Sequence, residues 1–215
     1  MDSKRIQLPN SITKIGQYAF SECLSLTEIK IPESVTSIGA GAFNECSSLS
    51  KIIIGSNNVN LEDNTFYECT SLEAFKIPIN CTKIGWNCFF GCSSIIELNI
   101  PSSVTEIGGY AFYGCSKLEK ITLSPSITAI NCSTFGGCKS LRDIEIPTSV
   151  NIISDSAFKD CIAIVEFKIP SSVISIGNNV FSGCSSLRKI VNHSSINLDN
   201  AVHGFDVSVY VEKQF

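Results

Sequence analysis

Cysteine is the residue in this 215-residue sequence best equipped for chemistry, and eleven are present. A single activated thiol beside a His would point to a nucleophile. Paired thiols completed by His or further Cys would point to zinc. The spacing fits neither. Cys23, Cys46, Cys69, Cys92, Cys115, Cys138, Cys161 and Cys184 stand 23 residues apart, each three residues after a Phe: Phe20, Phe43, Phe66, Phe89, Phe112, Phe135, Phe158 and Phe181. A nucleophile is needed once, so a residue repeated eight times at a fixed interval is structural. Cys81 and Cys88 replace apolar residues of the repeat and are expected in the core. The pair Cys88 and Cys92 finds no second pair and no nearby His to complete a four-ligand set. Cys132 occupies a variable position beside a turn and is the candidate for an exposed thiol. His193 and His203, both within the last 23 residues, have no recurring acidic or nucleophilic partner and suit a polar cap. The sequence contains no P-loop, no G-x-S-x-G and no dinucleotide fingerprint. No enzyme activity and no cofactor are expected.

The elements that hold these residues follow from the same interval. Counted from Pro9, the chain divides into nine 23-residue units without insertion or deletion; unit five is PSSVTEIGGYAFYGCSKLEKITL, residues 101–123. Apolar residues recur at positions 4, 7, 11, 12, 15, 18, 21 and 23 of each unit. The closing L-x-x-I-x-I segment alternates at its end like a half-buried strand. Pro follows it in most units (Pro32, Pro101, Pro147, Pro170) and stops it for want of an N–H. Position 8, usually Gly (Gly16, Gly39, Gly85, Gly108, Gly177), suits a tight turn with positive φ. The A-F-x-x-C segment is expected to form one helical or 3-10 turn.

One unit cannot bury its own apolar face, so successive units must stack. Strands stacked in register form a parallel sheet with a spacing of about 4.8 Å, giving a solenoid roughly 40 Å long. The expected fold is an α/β repeat solenoid over residues 1–215. Residues 1–8 close a preceding unit, 9–192 hold eight units, and 193–215 form a degenerate C-terminal cap. Phe-x-x-Cys then reads as a core ladder, with the thiol a small buried hydrophobe. Neighbouring rungs would place Cβ atoms about 4.8 Å apart and parallel, whereas a disulfide wants roughly 3.8 Å with a near-perpendicular twist, so bridges are not expected.

The phrase IPxSVTxIGxxAFxxCxSLxxI resembles the BspA-like leucine-rich repeats, a 23-residue class found in surface proteins of anaerobic bacteria and protozoan parasites. The resemblance covers residues 9–192 almost completely and is weakest in unit three, GSNNVNLEDNTFYECTSL, which lacks the Pro and the Gly. It implies a leucine-rich-repeat arc with a parallel sheet on one face and short helical or 3-10 turns opposite, without enzymatic activity. It implies protein-binding adhesion to host, matrix or cell-surface macromolecules. It transfers no catalytic residue.

Binding should use the variable positions, because the repeated ones are spent on the core. Positions 20 and 22 flank buried position 21 and should face outward. On that face Lys51, Glu97, Lys120, Asp143 and Glu166 suit cross-strand ion pairs, and Ile53 and Val191 are apolar contacts. The alternative is a solvated face with weak salt bridges. Position 13 places Tyr67, Phe90 and Tyr113 in consecutive units, with Trp86 and Tyr110 nearby. Clustered exposed aromatics suit interface anchors; the alternative is that they only shield an edge and stack on one another.

A net charge of -4 favours neither nucleic acid nor an anionic membrane. No apolar run approaches the roughly 20 residues needed to span a bilayer. The start, MDSKRIQLPNSITKIG, lacks the apolar core of a signal peptide, which favours an intracellular scaffold or regulator, whereas the resemblance favours a surface adhesin. Sequons start at Asn80, Asn131 and Asn192 but are common by chance in a chain rich in Asn, Ser and Thr. Residues 207–215 should form a last strand with Val207, Val209 and Val211 on one face. The first coil is incomplete, so either a truncated start or edge-to-edge self-association through it is expected, the alternative being a frayed, solvated edge.

Overall fold

Segments with L-x-x-I-x-I alternation pair as parallel strands, and the register steps by the length of the unit. Arg5 lies opposite Glu28, Glu28 opposite Lys51, Glu97 opposite Lys120, and Glu166 opposite Lys189. The protein is described by a computed structural model covering residues 4–214. Met1, Asp2, Ser3 and Phe215, assigned above to the two ends, lie outside the described residues. Along the strand column, Ile29 and Ile31 point inward and are fully buried, while Glu28 and Lys51 point outward. The column comprises Arg5–Gln7, Glu28–Ile31 and Lys51–Ile54, then Glu97–Asn99 and Lys120–Thr122, then Glu166–Ile169, Lys189–Asn192 and Tyr210–Lys213. Single bridges, Lys51 to Ala74 and Lys120 to Asp143, extend the first two groups into units three and six.

A second parallel column, which the sequence reading did not anticipate, is built from two-residue strands such as Lys14–Ile15, Ser37–Ile38 and Glu106–Ile107. These are the residues ahead of the position-8 glycine, and their Ile side chains are buried. The chain is thus a solenoid of about nine turns whose coils stack along two strand columns.

Opposite the strands, the expected helical or 3-10 turns are replaced by a run of hydrogen-bonded turns. In unit five, the N–H groups of Tyr113 and Cys115 donate back to Tyr110 (3.0 Å) and Phe112 (3.2 Å) within their own coil. The alternate N–H groups, of Tyr110, Phe112 and Gly114, donate forward to the carbonyls of Cys132, Thr134 and Gly136 at 2.8–2.9 Å. A helix would turn all of these donors inward, whereas this arrangement sends every second one to the next coil. The alternation requires left-handed backbone at positions 10 and 14, which occurs in all eight units, from Tyr18 and Glu22 to Asn179 and Gly183. Eleven of these residues are not glycine, each at a cost of about 1 kcal/mol that the inter-coil hydrogen bonds offset.

Position-8 glycines are absent from that left-handed set, which corrects the expectation of positive φ. Their role is close approach. A Cβ on Gly108 would come 2.5 Å from the backbone nitrogen of Trp86 in the preceding coil, and one on Gly39 would come 2.6 Å from that of Gln17. Gly16, in the first coil, has nothing within 4 Å of the same point.

The last unit is the one that breaks register: Lys189 lies opposite Tyr210, a step two residues short of the repeat. It carries the one helix among the described residues, Asn200–His203, capped by Asp199 at its start and by left-handed Gly204 at its end. His203 is buried there and its Nδ1 lies 2.9 Å from the Asp199 backbone nitrogen, while His193 is exposed. The last strand begins only at Tyr210. Val207 therefore lies outside it at 83% exposure, because Asp206 Oδ1 accepts the Ser208 N–H and turns the chain there.

Candidate functional site

The candidate groups fall on three surfaces of the coil: the buried Phe-x-x-Cys ladder, the aromatic column beside it, and the outer strand face. Phe43, Phe66, Phe89, Phe112, Phe135, Phe158 and Phe181 are fully buried. From Phe20 onward the rings stack on one another at centroid distances of 5.3–6.4 Å. Phe75 and Phe167, at position 21 of their units, pack edge-on against this stack.

Each thiol is more than a small hydrophobe. Cys115 Sγ donates to the carbonyl of Phe89 at 3.2 Å, and the same bond recurs from Cys46 to Phe20 (2.9 Å) through Cys184 to Phe158 (3.1 Å). The acceptor is already satisfied within its own coil, since the Phe89 carbonyl also receives the Cys92 N–H. The thiol takes the second lone pair, which a methyl group could not. Burial raises the pKa of these thiols: Cys46 is pushed up to about 11 and Cys184 to about 12. A thiol held protonated at neutral pH is a poor nucleophile and a poor metal ligand. Cys81 and Cys88 are likewise buried, and Cys81 Sγ donates to the Lys83 carbonyl at 3.1 Å. Cys23 and Cys132 are the two partly exposed thiols.

Tyr67, Phe90 and Tyr113 form a second stack, with centroids 4.8 and 5.0 Å apart and planes within 14°. Each is half-buried. Position 13 of the next coil is Gly136, and a Cβ there would lie 2.7 Å from Tyr113 Cδ2, so the ring of Tyr113 covers that backbone. Trp86 repeats the relationship one column over: its ring lies across Gly109, whose Cβ would come 2.5 Å from Trp86 Cζ3. Trp86 is 47% exposed, with one ring face against the coil. Tyr110, next to Gly109 in the chain, packs against Tyr113 at 5.7 Å. The five aromatics are therefore linked, through three ring contacts, the approach of Trp86 to Gly109 and one peptide bond, into one strip across units three to five. Tyr18, 52% exposed and laid over Gly41, uses the same device outside the strip. The sequence signal for it is an aromatic followed 23 residues later by Gly, which the reading above did not use.

On the strand face, all five charged candidates are exposed. Lys51 pairs with Glu28 at 3.2 Å, which also pairs with Arg5 at 3.4 Å, and Lys120 with Glu97 at 3.8 Å. Glu166 pairs with Lys168 in its own strand at 3.9 Å. Ile53 is exposed in this row, but Val191 is buried at 4% exposure and is no surface contact, because it pairs in register with Glu212 of the added last strand. The charges largely satisfy one another, so exposed pairs of this kind contribute roughly 0–1 kcal/mol each and offer little unmatched charge. Among the described residues, no group of three His, Cys, Asp or Glu is placed to hold a metal ion. No helix among them is long and apolar enough to cross a membrane.

Comparison with known proteins agrees with this architecture. The profile described as "BspA type Leucine rich repeat region (6 copies)" matches residues 2–119 and 105–202. No curated protein matches the chain. Among solved structures, a leucine-rich repeat protein of Bacteroides ovatus is similar over 98% of this chain and 69% of its own, with 27% identity and a TM-score of 0.75. The leucine-rich repeat protein of T. pallidum is similar over 87% of this chain and 79% of its own, with 27% identity and a TM-score of 0.69. A leucine-rich cell surface protein of Faecalibacterium prausnitzii is similar over 89% of this chain and 79% of its own, with 25% identity and a TM-score of 0.58.

Proposed function

The chain belongs to the BspA-type leucine-rich repeat family, and on that premise we propose that it is a non-enzymatic protein-binding module. Its contact surface is the strip Tyr67, Phe90, Tyr113, Tyr110 and Trp86. Leucine-rich repeat proteins are generally protein-binding. The observation that carries the choice of surface is the continuity of these side chains: each is partly exposed, four of the rings contact one another in series, and the Trp86 ring lies on Gly109 beside Tyr110, so one partner can cover them together. Rigid stacked rings lose little conformational entropy when covered and bring large contact area, the properties of interface anchors. The strand face is the weaker choice, because most of its charged candidates are already paired with neighbouring charges.

The finer reading is an adhesin-type protein at the cell surface, contacting host, matrix or cell-surface macromolecules. The likeness to a protein described as a leucine-rich cell surface protein supports this. Labelling intact and lysed source cells with a membrane-impermeant amine reagent tests it. Labelling on intact cells is expected; labelling only after lysis favours an intracellular scaffold instead. For the strip itself, the double substitution Trp86→Ser, Phe90→Ser should weaken partner binding at least tenfold, the loss of two anchors, while the circular dichroism spectrum is unchanged. Unaltered affinity in the folded variant would discard the strip as the contact surface.

A further inference from the structure

Charge is divided unevenly between the two sides of the coil. Positions 9–14 of the eight units, the turn segments, hold Glu22, Glu45, Asp63, Glu68, Asp155 and Asp160 against a single cation, Lys159. The chain as a whole is nearly balanced, with 20 acidic and 16 basic residues, so the imbalance belongs to this side. On the strand face, acids and bases pair: Glu28 with Arg5 and Lys51, and Glu97 with Lys120. Among the described residues, none of Glu22, Glu45, Asp63 and Glu68 takes part in an ion pair.

These four carboxylates border the aromatic strip. Glu22, Glu45 and Glu68 fill position 14 of three successive coils, where their N–H groups donate to the carbonyls of Asn44, Tyr67 and Phe90 at 2.6–2.7 Å. The column runs into the strip: Glu68 follows Tyr67, and its carboxylate lies over Gly91, the residue after Phe90, where a Cβ would come 2.5 Å from Glu68 Cδ. On the other side of the strip, Asp63 Oδ1 accepts the Trp86 N–H at 2.9 Å. Glu22 and Glu45 are exposed, and Asp63 and Glu68 are half-buried. Carboxylates one coil apart, about 4.8 Å, add to a single negative field. No cation interrupts it, since Lys159 stands two coils beyond Tyr113.

We propose that the occupant of the aromatic strip is a basic segment of a protein partner, its apolar groups on Tyr67, Phe90, Tyr113 and Trp86 and its Lys or Arg side chains over Glu45 and Glu68. This inference rests on the strip being the contact surface and adds the charge of what it binds. Charge complementarity carries it. The carboxylates gain from a cation that the chain itself does not give them, whereas an acidic segment is repelled as it approaches. Arg suits the border especially, because its guanidinium forks onto a carboxylate and stacks on an aromatic face. From Glu22 to Tyr113 the surface covers four coil steps, roughly 20 Å, the length of about six extended residues.

The test selects ligands without presuming their charge. Phage-displayed random dodecapeptides are selected on the immobilised full chain, with the Trp86→Ser, Phe90→Ser variant for counter-selection. Calorimetry then measures the selected peptides against the parent, that variant and a Glu45→Gln, Glu68→Gln variant, which keeps side-chain shape and removes two charges. Circular dichroism checks that both variants fold. The selected peptides should carry more Lys and Arg than Asp and Glu. The Gln variant should bind them roughly tenfold more weakly, the loss of two exposed ion pairs, and high salt should weaken the parent's binding likewise. Peptides that need the strip but are neutral or acidic would overturn the charge assignment and leave the strip standing. So would basic peptides whose affinity neither the Gln variant nor salt alters. A selection that yields no peptide distinguishing the parent from the Ser variant would overturn the strip reading itself, and this inference with it.

Discussion

The sulfur of Cys115 lies 3.2 Å from the carbonyl oxygen of Phe89, a residue 26 positions earlier in the chain. The bond joins one coil to the one before it through the interior, and it recurs along the ladder. It explains why the repeat keeps a thiol rather than an alanine or a valine: the site requires a small apolar group that also donates to a carbonyl.

Replacing Cys115 with Ala removes both the sulfur's packing and its hydrogen bond. The expected destabilisation is about 1–2 kcal/mol, from a small cavity and one weak buried bond. Cys132→Ala, at a partly exposed site, should fall within about 0.5 kcal/mol of the parent. Urea unfolding monitored by circular dichroism measures both. Equal effects at the two sites would mean that the ladder thiol contributes no more than a surface residue.

Two adjacent glycines separate backbone crowding from side-chain crowding. A Cβ at position 108 meets the backbone nitrogen of Trp86, which cannot yield without displacing a coil, whereas the atoms nearest a Cβ at 109 belong to the Trp86 ring. Gly108→Ala should cost about 2–4 kcal/mol, the range for overpacking and lost coil contacts. Gly109→Ala should cost far less but lift the ring, raising acrylamide quenching of the fluorescence of Trp86, the single Trp of the chain. The reverse order of stabilities would contradict this reading of the two positions.

The last strand is pinned by the ion pair of Lys189 and Glu212. The Lys189 ammonium, hydrogen-bonded to Glu212, holds that carboxyl below its usual range, and the same bond raises Lys189. A lowered carboxyl stabilises the fold above its unfolded pKa and loses that contribution as pH falls through the folded value. A raised ammonium keeps its contribution below its unfolded pKa and loses it as pH rises through the folded one. The pair therefore supports the cap from above the ordinary Glu range up to the ordinary Lys range. In NMR titration, the amides of Tyr210–Lys213 should hold their positions as pH falls through the ordinary Glu range and move only below it, and Glu212→Gln should abolish that late movement. Movement of these amides within the ordinary Glu range would show that the pair does not hold the cap.

The Phe and Cys periodicity made the coil length and the stacked parallel strands legible, because a buried rung tolerates few residue types. The turn ladder was less legible. Its left-handed positions are filled by Tyr, Asn, Ser, Glu, Asp and Gly alike, since what fixes them is hydrogen bonding to the next coil rather than the residue's own preference. The position-8 glycine was visible, but its reason was not: a backbone 2.5 Å from an imagined Cβ belongs to another unit. Val191 and Val207 were misplaced because the last coil departs from the repeat: its strand covers Val191 from the open side, and the Asp206–Ser208 turn holds Val207 outside that strand. The aromatics of the strip could be picked out by spacing, whereas the contacts that join Trp86 to the others depend on Gly109 and needed coordinates.

The account's central claim is that the aromatic strip, not the strand face, meets the protein partner. A photo-crosslinking amino acid placed at position 90, and in a separate variant at position 143, tests it on source cells expressing the full chain. The account predicts a crosslinked protein from position 90 that is lost on adding Trp86→Ser, and none from position 143. Crosslinking from position 143 alone would contradict it and move the contact to the strand face.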